Sequence, residues 1–479
     1  MPLLYALLAA AAAWVALGRI NASLTADSAV PVLLGLYAWE PYFWEQNRYG
    51  MLVPLVVGPV RDPFAHLLAQ TAVGAFLTLL GLHLAGRYLY RAGWSPLAGA
   101  AAVAFFLAAC GPHGQFIILC PAFAHHGGLA LGFGGLLLAL PRADGRVAPG
   151  RLAAAAAVLT AGAWLNLGIV PQLAPLVVFR RWLVDRGLAA ELRSVARQPR
   201  GALAGSELAR AAAVLGVALA VNVAGQAVAP YPTMRAEVPP VGEWAGRVVA
   251  FAEGLGWHTK AAYLVAVGAA VAGALAAGPP ARPATLAAVL AGLCYGLVMA
   301  LTFLGRGRYF LPCLLVIQAA AVGGLVVVFE RSAGVRWRPG AWAAVLGAAL
   351  AGLLAVHGRP SVANARAALD AGPGRRTADL LAAGATHLAG DYWTVWPAVM
   401  HANLVLGESG SDRRVWGLTH RSRPTRRYWA AGPEVVRVAV VPGEEDAALG
   451  YLEMYGFTDV RLAEVRPGLA VYTARRPDP

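Results

Sequence analysis

Acidic side chains that could act as a general base are concentrated in one connection of an otherwise apolar chain. Residues 21–63 follow a first apolar segment and combine Arg48 with six aromatic residues and four acids, which are Asp27, Glu40, Glu45 and Asp62. A carboxylate held at the edge of an apolar environment is well placed to take a proton from a substrate. Asp27 lies closest to the end of an apolar segment, and Glu45 is the next candidate. Glu40 and Asp62 are interpreted as solvated loop charges.

Cationic side chains in a later connection suit the binding of a phosphate. The sequence GRGRYFLP, residues 305–312, places Arg306 and Arg308 at the mouth of an apolar segment, and Tyr309 follows them. Forked guanidinium donors match phosphate oxygens. Lys260, at the end of the connection 230–260, supplies a further charge. The alternative is that both arginines are interface anchors whose stems lie along apolar surface.

Histidines form the third polar set. Residues 111–128, GPHGQFIILCPAFAHHGG, contain His113, His125 and His126. Imidazole is a common metal ligand, but adjacent residues of a helix point about 100° apart, so one ion rarely takes both. His125 and His126 are therefore weak metal candidates, and a divalent metal is left open.

The elements that must position these residues are predicted to be membrane helices. The chain has 479 residues, of which 58% are hydrophobic and 13% charged, whereas roughly a quarter of the residues of a soluble protein are charged. Apolar runs near the ~20 residues that cross a bilayer recur over the first three quarters. About eleven membrane segments are predicted: 3–20, 64–85, 96–111, 126–141, 152–166, 168–180, 210–229, 259–277, 285–304, 310–329 and 340–357.

The net charge of +14 is located mainly in this membrane part. The connections on one side hold sixteen basic residues and those on the other hold seven. This asymmetry is typical of membrane orientation and not of nucleic-acid binding. It places the first connection and the C-terminal part outside the cytoplasm. The Ala-, Gly- and Arg-rich composition with a single lysine is typical of a GC-rich bacterial genome, so the bacterial inner membrane is the expected location.

The chain from residue 358 onward changes character, and we expect a small extracytoplasmic α/β domain there, after a membrane domain spanning 1–357. Strands are predicted in RVWGLTHRS, VVRVAVVPG, VRLAEV and LAVYTARR. Helices are predicted in TADLLAAGATHLAGDYW and in EEDAALGYLEMYG, where Gly456 ends the second. Asp391, Tyr392 and Trp393 are expected to pack this tail against the membrane part.

Four stretches carry a resemblance to a known enzyme superfamily. They are TADSAVPVLLGLYAWEPYFWEQNRYGMLVPL after the first segment, HHGGLALG opening the fourth, GRGRYFLPCLL opening a late segment, and GDYWTVWPAVM in the tail. Together with the topology, they resemble the GT-C superfamily of polyprenyl-phosphate-dependent membrane glycosyltransferases, in particular bacterial members with a C-terminal extracytoplasmic domain.

The resemblance implies sugar transfer from a polyprenyl-phosphate donor to a glycan, lipid or protein acceptor, with inversion at the sugar carbon. Asp27 would be the base, with Glu45 as alternative, and the phosphate would meet Arg306 and Arg308. Tyr49, with other aromatic residues of the first connection, would offer a flat face to the sugar, with Arg48 beside it. Many members pair two acids in the first loop, but Ser28 follows Asp27 here, which leaves metal dependence open.

Three alternatives stand beside this interpretation. Asp27 could simply cap the helix that begins at SAVPVLLGL, since aspartate is a preferred N-cap. The protein could be a transporter or flippase of lipid-linked glycans, although such proteins place ionisable residues at mid-membrane and repeat their halves. It could also be a GT-C-like scaffold without activity, because a fold does not determine function.

Overall fold

The computed structural model is mainly helical. It describes residues 1–37, 39–43, 50–109, 125–141, 147–197, 202–229, 240–254, 281–302, 311–332, 339–426 and 432–477, with isolated positions between 257 and 272. The helices up to residue 357 are α1 (Pro2–Ser23), α2 (Ala26–Tyr37), α3 (Leu52–Val57), α4 (Pro63–Tyr90), α5 (Pro96–Ala109), α6 (His125–Ala139), α7 (Pro149–Leu165), α8 (Ile169–Phe179), α9 (Leu188–Arg197), α10 (Ala202–Gly205), α11 (Glu207–Val228), α12 (Trp244–Gly254), α13 (Ala281–Thr302), α14 (Leu311–Ser332) and α15 (Pro339–His357).

Each apolar segment predicted before residue 258 or after residue 280 overlaps one of these helices. Among the described residues, five helices are long and apolar enough to cross a membrane: Pro63–Tyr90, Glu207–Val228, Arg282–Leu301, Cys313–Arg331 and the stretch Pro339–Ala371. Others, such as Pro2–Gly18 and Gly127–Ala139, are apolar but shorter. The segment 259–277 lies largely outside the described residues. The number of crossings therefore stays a prediction.

The bundle packs around α4, which contacts α1, α5, α6 and α14. Helix α6 owes its close contact with α7 to glycine, because a Cβ at Gly135 would lie 2.9 Å from the carbonyl oxygen of Ala155. A Cβ at Gly128 would likewise meet the carbonyl of Gly162. Small residues permit such backbone approach between apolar helices. The glycines of HHGGLALGFGG thus have a packing role.

The described residues of the C-terminal part form α16 (Val362–Ala371), α17 (Thr377–Ala382), α18 (Tyr392–Glu408), α19 (Glu445–Met454) and five strands. These are β1 (His387–Ala389), β2 (Trp416–Leu418), β3 (Val435–Val440), β4 (Thr458–Arg466) and β5 (Leu469–Arg475), in the order β2-β1-β3-β5-β4. Strand β1 pairs in parallel with β2 and β3, whereas β5 is antiparallel to β3 and β4. Gly456 follows α19 with a positive φ of 82°, which is the geometry of a helix stop.

One prediction for this part was wrong. The stretch 377–393 was expected to be one helix, but α17 ends at Ala382 and the residues THLAG enter the sheet as β1. Gly384 adopts a φ of +64° just after α17, a left-handed conformation that ends a helix. His387 and Leu388 then pair with strands from later in the chain on both sides. These pairings are long-range, so the helical spacing of the local sequence did not reveal them.

The C-terminal part and the first connection share one hydrophobic core. Val30, Leu33 and Leu34 of α2 are buried together with Val395 and Trp396 of α18. Helix α4 joins this core through Leu67, close to its N-terminal end. The C-terminal part therefore lies at the end of the bundle where α1 ends and α4 begins. Since α4 has 28 residues, its other end lies about 40 Å away.

Candidate active site

Asp27 lies in the first turn of α2, at the junction with the C-terminal part. The helix begins at Ala26, so Asp27 is inside the helix and Thr25 occupies the preceding position. The Thr25 backbone N–H donates to the hydroxyl of Ser28 at 3.4 Å. Asp27 itself is half-buried, and its Oδ1 accepts a hydrogen bond from the Tyr392 hydroxyl at 3.0 Å. An acid in the first turn also complements the helix dipole. Helix capping alone does not describe this side chain.

Tyr392 is the first residue of α18, and the chain before it fixes its direction. Asp391 caps the helix, since its Oδ2 accepts from the backbone N–H of Trp393 at 2.8 Å. The Asp391 N–H in turn donates to Glu444 at 2.6 Å. Gly390 has a φ of +147° and lies directly against the carboxylate of Glu444, which leaves no room for a Cβ. The Tyr392 side chain is consequently held with 2% exposure against Asp27.

Arg421 and His420 complete the surroundings of the phenol. The Arg421 guanidinium lies 5.0 Å above the Tyr392 ring centroid, and the His420 ring lies at 5.4 Å. The turn that carries them is fixed by Tyr455, whose hydroxyl donates to the Thr419 carbonyl at 2.7 Å and accepts from the Ser422 N–H at 2.8 Å. A cation therefore lies over the ring of the phenol that donates to the Asp27 carboxylate.

Protonation states follow from this environment. Burial, reinforced by the charge of Asp27, raises the pKa of Tyr392, and Arg421 opposes this only in part. The phenol therefore remains a hydrogen-bond donor at neutral pH. Burial, together with the charge of Arg421, lowers the pKa of His420, although Asp391 acts in the opposite direction. His420 is neutral under the same conditions. The carboxylate of Asp27 thus faces a neutral donor.

The rest of the first connection, where it is described, folds over α7. The Trp39 indole N–H donates to the Met51 carbonyl at 2.9 Å, and its ring packs edge-on against Trp164. The Gly50 N–H donates to the Trp164 carbonyl at 2.7 Å. Tyr42 lines an apolar cavity of about 520 Å³ between α7 and α11. Aromatic surface is thus available near the bundle end that carries Asp27.

The remaining predicted site residues are described only in part. Asp62 is the N-cap of α4 and accepts from the Ala65 N–H at 2.7 Å, so it has a structural role that the sequence interpretation did not assign. Lys260 is exposed. His125 begins α6, but its side chain and that of His126 lie outside the described residues. The other predicted residues that lie outside them are Glu45, Arg48, Tyr49, Arg306, Arg308 and Tyr309. Their roles stay predictions.

No group of three or more His, Cys, Asp or Glu side chains suited to a metal comes together within the described part of the chain. The structure adds Arg421 and His420 to the candidate site, and the sequence did not indicate either. Tyr392 was expected to pack the tail against the membrane part, and it does so through Asp27. The contact joins residues 365 positions apart, so no local pattern could reveal it.

Comparison with known proteins identifies the architecture. No protein-family model matches the chain, and no curated relative matches it in sequence. ArnT from Cupriavidus metallidurans bound to undecaprenyl phosphate matches in structure, with a TM-score of 0.51, 14% sequence identity, and coverage of 98% of this chain and 97% of that one. The chain has an ArnT-like fold. The GT-C resemblance predicted from the sequence is therefore confirmed at the level of the fold.

The apo state of the same ArnT matches with a TM-score of 0.49 and 13% identity over the same shares of both chains. The ArnT-like fold covers the C-terminal part as well as the bundle, because the match extends over nearly the whole of both chains.

Proposed function

We propose that this protein is a membrane glycosyltransferase that moves a sugar from a polyprenyl-phosphate donor to an acceptor hydroxyl. The observation that carries the proposal is the half-buried carboxylate of Asp27, held by Tyr392 at the junction of bundle and C-terminal part on an ArnT-like fold. The solved ArnT relative binds undecaprenyl phosphate, which supports a lipid phosphate as the donor carrier here.

The proposed reaction is a direct displacement. The acceptor oxygen attacks the sugar carbon while Asp27 takes the hydroxyl proton. The bond between that carbon and the phosphate oxygen breaks, and the electron pair leaves with the polyprenyl phosphate. Arg306 and Arg308 would stabilise the departing phosphate through charge-assisted hydrogen bonds. Attack from the face opposite the leaving group inverts the sugar carbon.

Tyr392 and Arg421 have different proposed roles beside Asp27. Tyr392 donates to one carboxylate oxygen of Asp27 and fixes the direction of the carboxylate, which is the group proposed to take the acceptor's proton. Arg421 lies over the phenol ring, which places positive charge close to the reacting region. Because the C-terminal part supplies both Tyr392 and Arg421, it is proposed to complete the active site.

The proposed location is the bacterial inner membrane, with Asp27 and the C-terminal part outside the cytoplasm. Cysteine labelling tests this orientation on a chain whose native cysteines are replaced. Asp412→Cys, exposed in the C-terminal part, should be labelled from outside intact spheroplasts. Arg193→Cys, exposed on α9, should be labelled only after lysis. The reverse pattern would exclude the orientation.

Reconstituted protein tests the reaction itself. Purified chain in proteoliposomes is given undecaprenyl phosphates carrying a panel of labelled sugars, and free undecaprenyl phosphate is measured. Release that depends on an added acceptor extract is the expected result. Movement of label across the bilayer without release would identify a transporter instead. Binding of undecaprenyl phosphate, with undecaprenol as the matched control, should depend on the phosphate and weaken in the Arg306→Gln/Arg308→Gln double variant.

A further inference from the structure

A polar cavity lies at the end of the bundle opposite Asp27. It has a volume of about 440 Å³ and lies beside the last residues of α4 and the turn that follows α8. Four guanidinium groups and one carboxylate line it: Arg91, Arg180, Arg186, Arg331 and Asp185. This excess of positive charge around an open space suits an anion.

An ion-pair network fixes the wall of this cavity. Arg180 is fully buried and bonds to Glu207 at 2.9 Å and to Asp185 at 3.0 Å. Its guanidinium also stacks on Tyr88 at 4.9 Å. Arg181 pairs with Glu191 at 2.7 Å. The wall is therefore preorganised, and a ligand would meet donors that are already in place.

Two donors of this wall have no acceptor within the described residues. They are the Nε–H groups of Arg180 and Arg91, both of which are buried. Buried donors are almost always satisfied by protein, water or ligand. Arg180 is completely enclosed, so a ligand in the open cavity would meet the partly exposed guanidinium of Arg91 and not that of Arg180.

The arginines of the ion-pair network are balanced by carboxylates, whereas those at the cavity mouth are not. Arg91, Arg180 and Arg181 are balanced by Asp185, Glu191 and Glu207. Arg186 and Arg331 are additional, and neither forms an ion pair with another residue in the described part of the chain. Arg186 also has a left-handed backbone, with φ of 49°, a conformation that suits glycine better. Its side chain is exposed at the mouth.

An apolar groove continues from this mouth. A neighbouring cavity of about 630 Å³ shares Leu183, Arg186 and Pro283 with the first and adds Trp182 and Leu286. Trp182 is 55% exposed, as is usual for tryptophan at the level of lipid headgroups. A cationic cavity joined to an apolar groove matches a molecule with an anionic head and an acyl chain.

We propose that this pair of cavities binds an anionic phospholipid, with its phosphate among Arg91, Arg186 and Arg331 and an acyl chain along Trp182 and Leu286. The site is separate from the proposed active site, and the proposal does not depend on glycosyl transfer. Bound lipid would join the end of α4 to the start of α13 and thereby stabilise the bundle, since a ligand that binds only the folded state raises its stability.

The test compares phosphatidylglycerol with phosphatidylcholine of the same acyl chains, added to delipidated full-length protein in detergent. Native mass spectrometry measures retention, and thermal unfolding measures stabilisation. Phosphatidylglycerol should bind preferentially and raise the Tm. Arg186→Gln/Arg331→Gln should weaken this binding about tenfold or more, because charge-assisted hydrogen bonds are removed. The matched control is Arg193→Gln/Arg197→Gln, which removes the same charge from exposed positions on α9.

Each outcome decides the proposal. Equal binding of both lipids, or equal loss in both double variants, would overturn it, because general surface charge would then explain the result. Inorganic phosphate at matched ionic strength forms a separate arm. If phosphate alone raised the Tm as far as phosphatidylglycerol, and only when Arg186 and Arg331 were present, the ligand would be a soluble anion and the lipid assignment would be wrong.

Discussion

Both ends of the bundle contain carboxylates that are buried or half-buried, but the groups that donate hydrogen bonds to these carboxylates differ. At the end near α9, Glu207 accepts from Arg180 and Arg91, and Glu191 accepts from Arg181, the Ser206 hydroxyl and the Leu208 N–H. At the other end, Asp27 accepts from the neutral phenol of Tyr392. Carboxylates of the first kind are fixed by opposite charge. The Tyr392 phenol contributes a hydrogen bond to Asp27 without a positive charge.

This difference separates structural acids from a candidate reactive one. A carboxylate enclosed by guanidinium groups gains little from accepting a proton, because it would lose strong charge-assisted bonds. The hydrogen bond from Tyr392 to Asp27 carries no such pair of opposite charges. The same residue type therefore stabilises the fold at one end and suits acid–base chemistry at the other.

The largest expected effect is on turnover at Asp27. Asp27→Asn keeps the size of the side chain, but it removes the anionic oxygen that would accept the acceptor's proton. Turnover should fall by roughly 10²–10⁴-fold, the usual contribution of acid–base catalysis, with the Tm almost unchanged. The assay is release of undecaprenyl phosphate from the reconstituted protein.

Asp62→Asn is the matched control, since Asp62 is an exposed acid of the same connection that caps α4. Asparagine caps about as well as aspartate, so this variant should be silent in both assays. An Asp27→Asn protein as active as the parent would remove Asp27 from the mechanism and make Glu45 the next candidate.

At the opposite end, the expected loss is in stability. Glu207→Gln leaves the buried Arg180 guanidinium without the carboxylate that it contacts at 2.9 Å. Removal of one partner of a buried ion pair costs about 3–5 kcal/mol. The Tm should fall by many degrees, while the turnover of the protein that remains folded stays close to that of the parent.

Glu408→Gln provides the comparison, because Glu408 pairs with Arg366 at 2.7 Å on the exposed surface of the C-terminal part. Exposed pairs contribute about 0–1 kcal/mol. Equal Tm losses in the two variants would show that burial does not distinguish these acids. A selective loss of turnover in Glu207→Gln would contradict its structural role.

Sequence reasoning reached the elements of the fold more readily than the site. Long apolar runs predicted α4, α11 and α14, because a helix that crosses a bilayer needs about 20 apolar residues. Gly456 predicted the end of α19, because few residues other than glycine adopt its positive φ. Strand β1 was not predicted, because its strand conformation depends on pairing with β2 and β3, which come later in the chain.

For the site, the acid could be selected but its partners could not. Asp27 stood out by its position after an apolar segment, which is a local property. Tyr392 reaches it only through the docking of α18 on α2, a tertiary contact between distant parts of the chain, and Arg421 in turn lies over Tyr392. The ion-pair network was not predicted for the same reason, because the buried acids Glu191 and Glu207 meet their arginines only in the folded chain.

A smaller effect should follow from loss of the phenol hydroxyl. Tyr392→Phe keeps the ring under Arg421 and removes the hydrogen bond that orients Asp27. We expect turnover to fall about tenfold, corresponding to ~1.4 kcal/mol for a bond to a charged group. Because the hydroxyl acts through Asp27, the same change in an Asp27→Asn protein should cost little more. Additive losses would show that Tyr392 acts independently. Tyr472→Phe, on β5, is the control.

The smallest effect concerns pH and separates the two ends once more. The charged groups described in the network near α9 are arginines and carboxylates, whereas burial lowers the pKa of His387 in β1 from 6.5 to about 3. In the unfolded chain His387 therefore binds a proton near pH 6.5, whereas in the folded sheet it stays neutral at that pH. Stability from this residue is fully present above pH 6.5 and is lost progressively as the pH falls towards 3. Between pH 7 and pH 6 the loss is roughly 0.7 kcal/mol.

Hydrogen exchange should show the protection of β1 and β3 falling over this range while that of α11 stays level. His387→Gln should flatten the response of the sheet, and an unchanged response would assign the pH dependence to His401 or His420, whose pKa values burial also lowers.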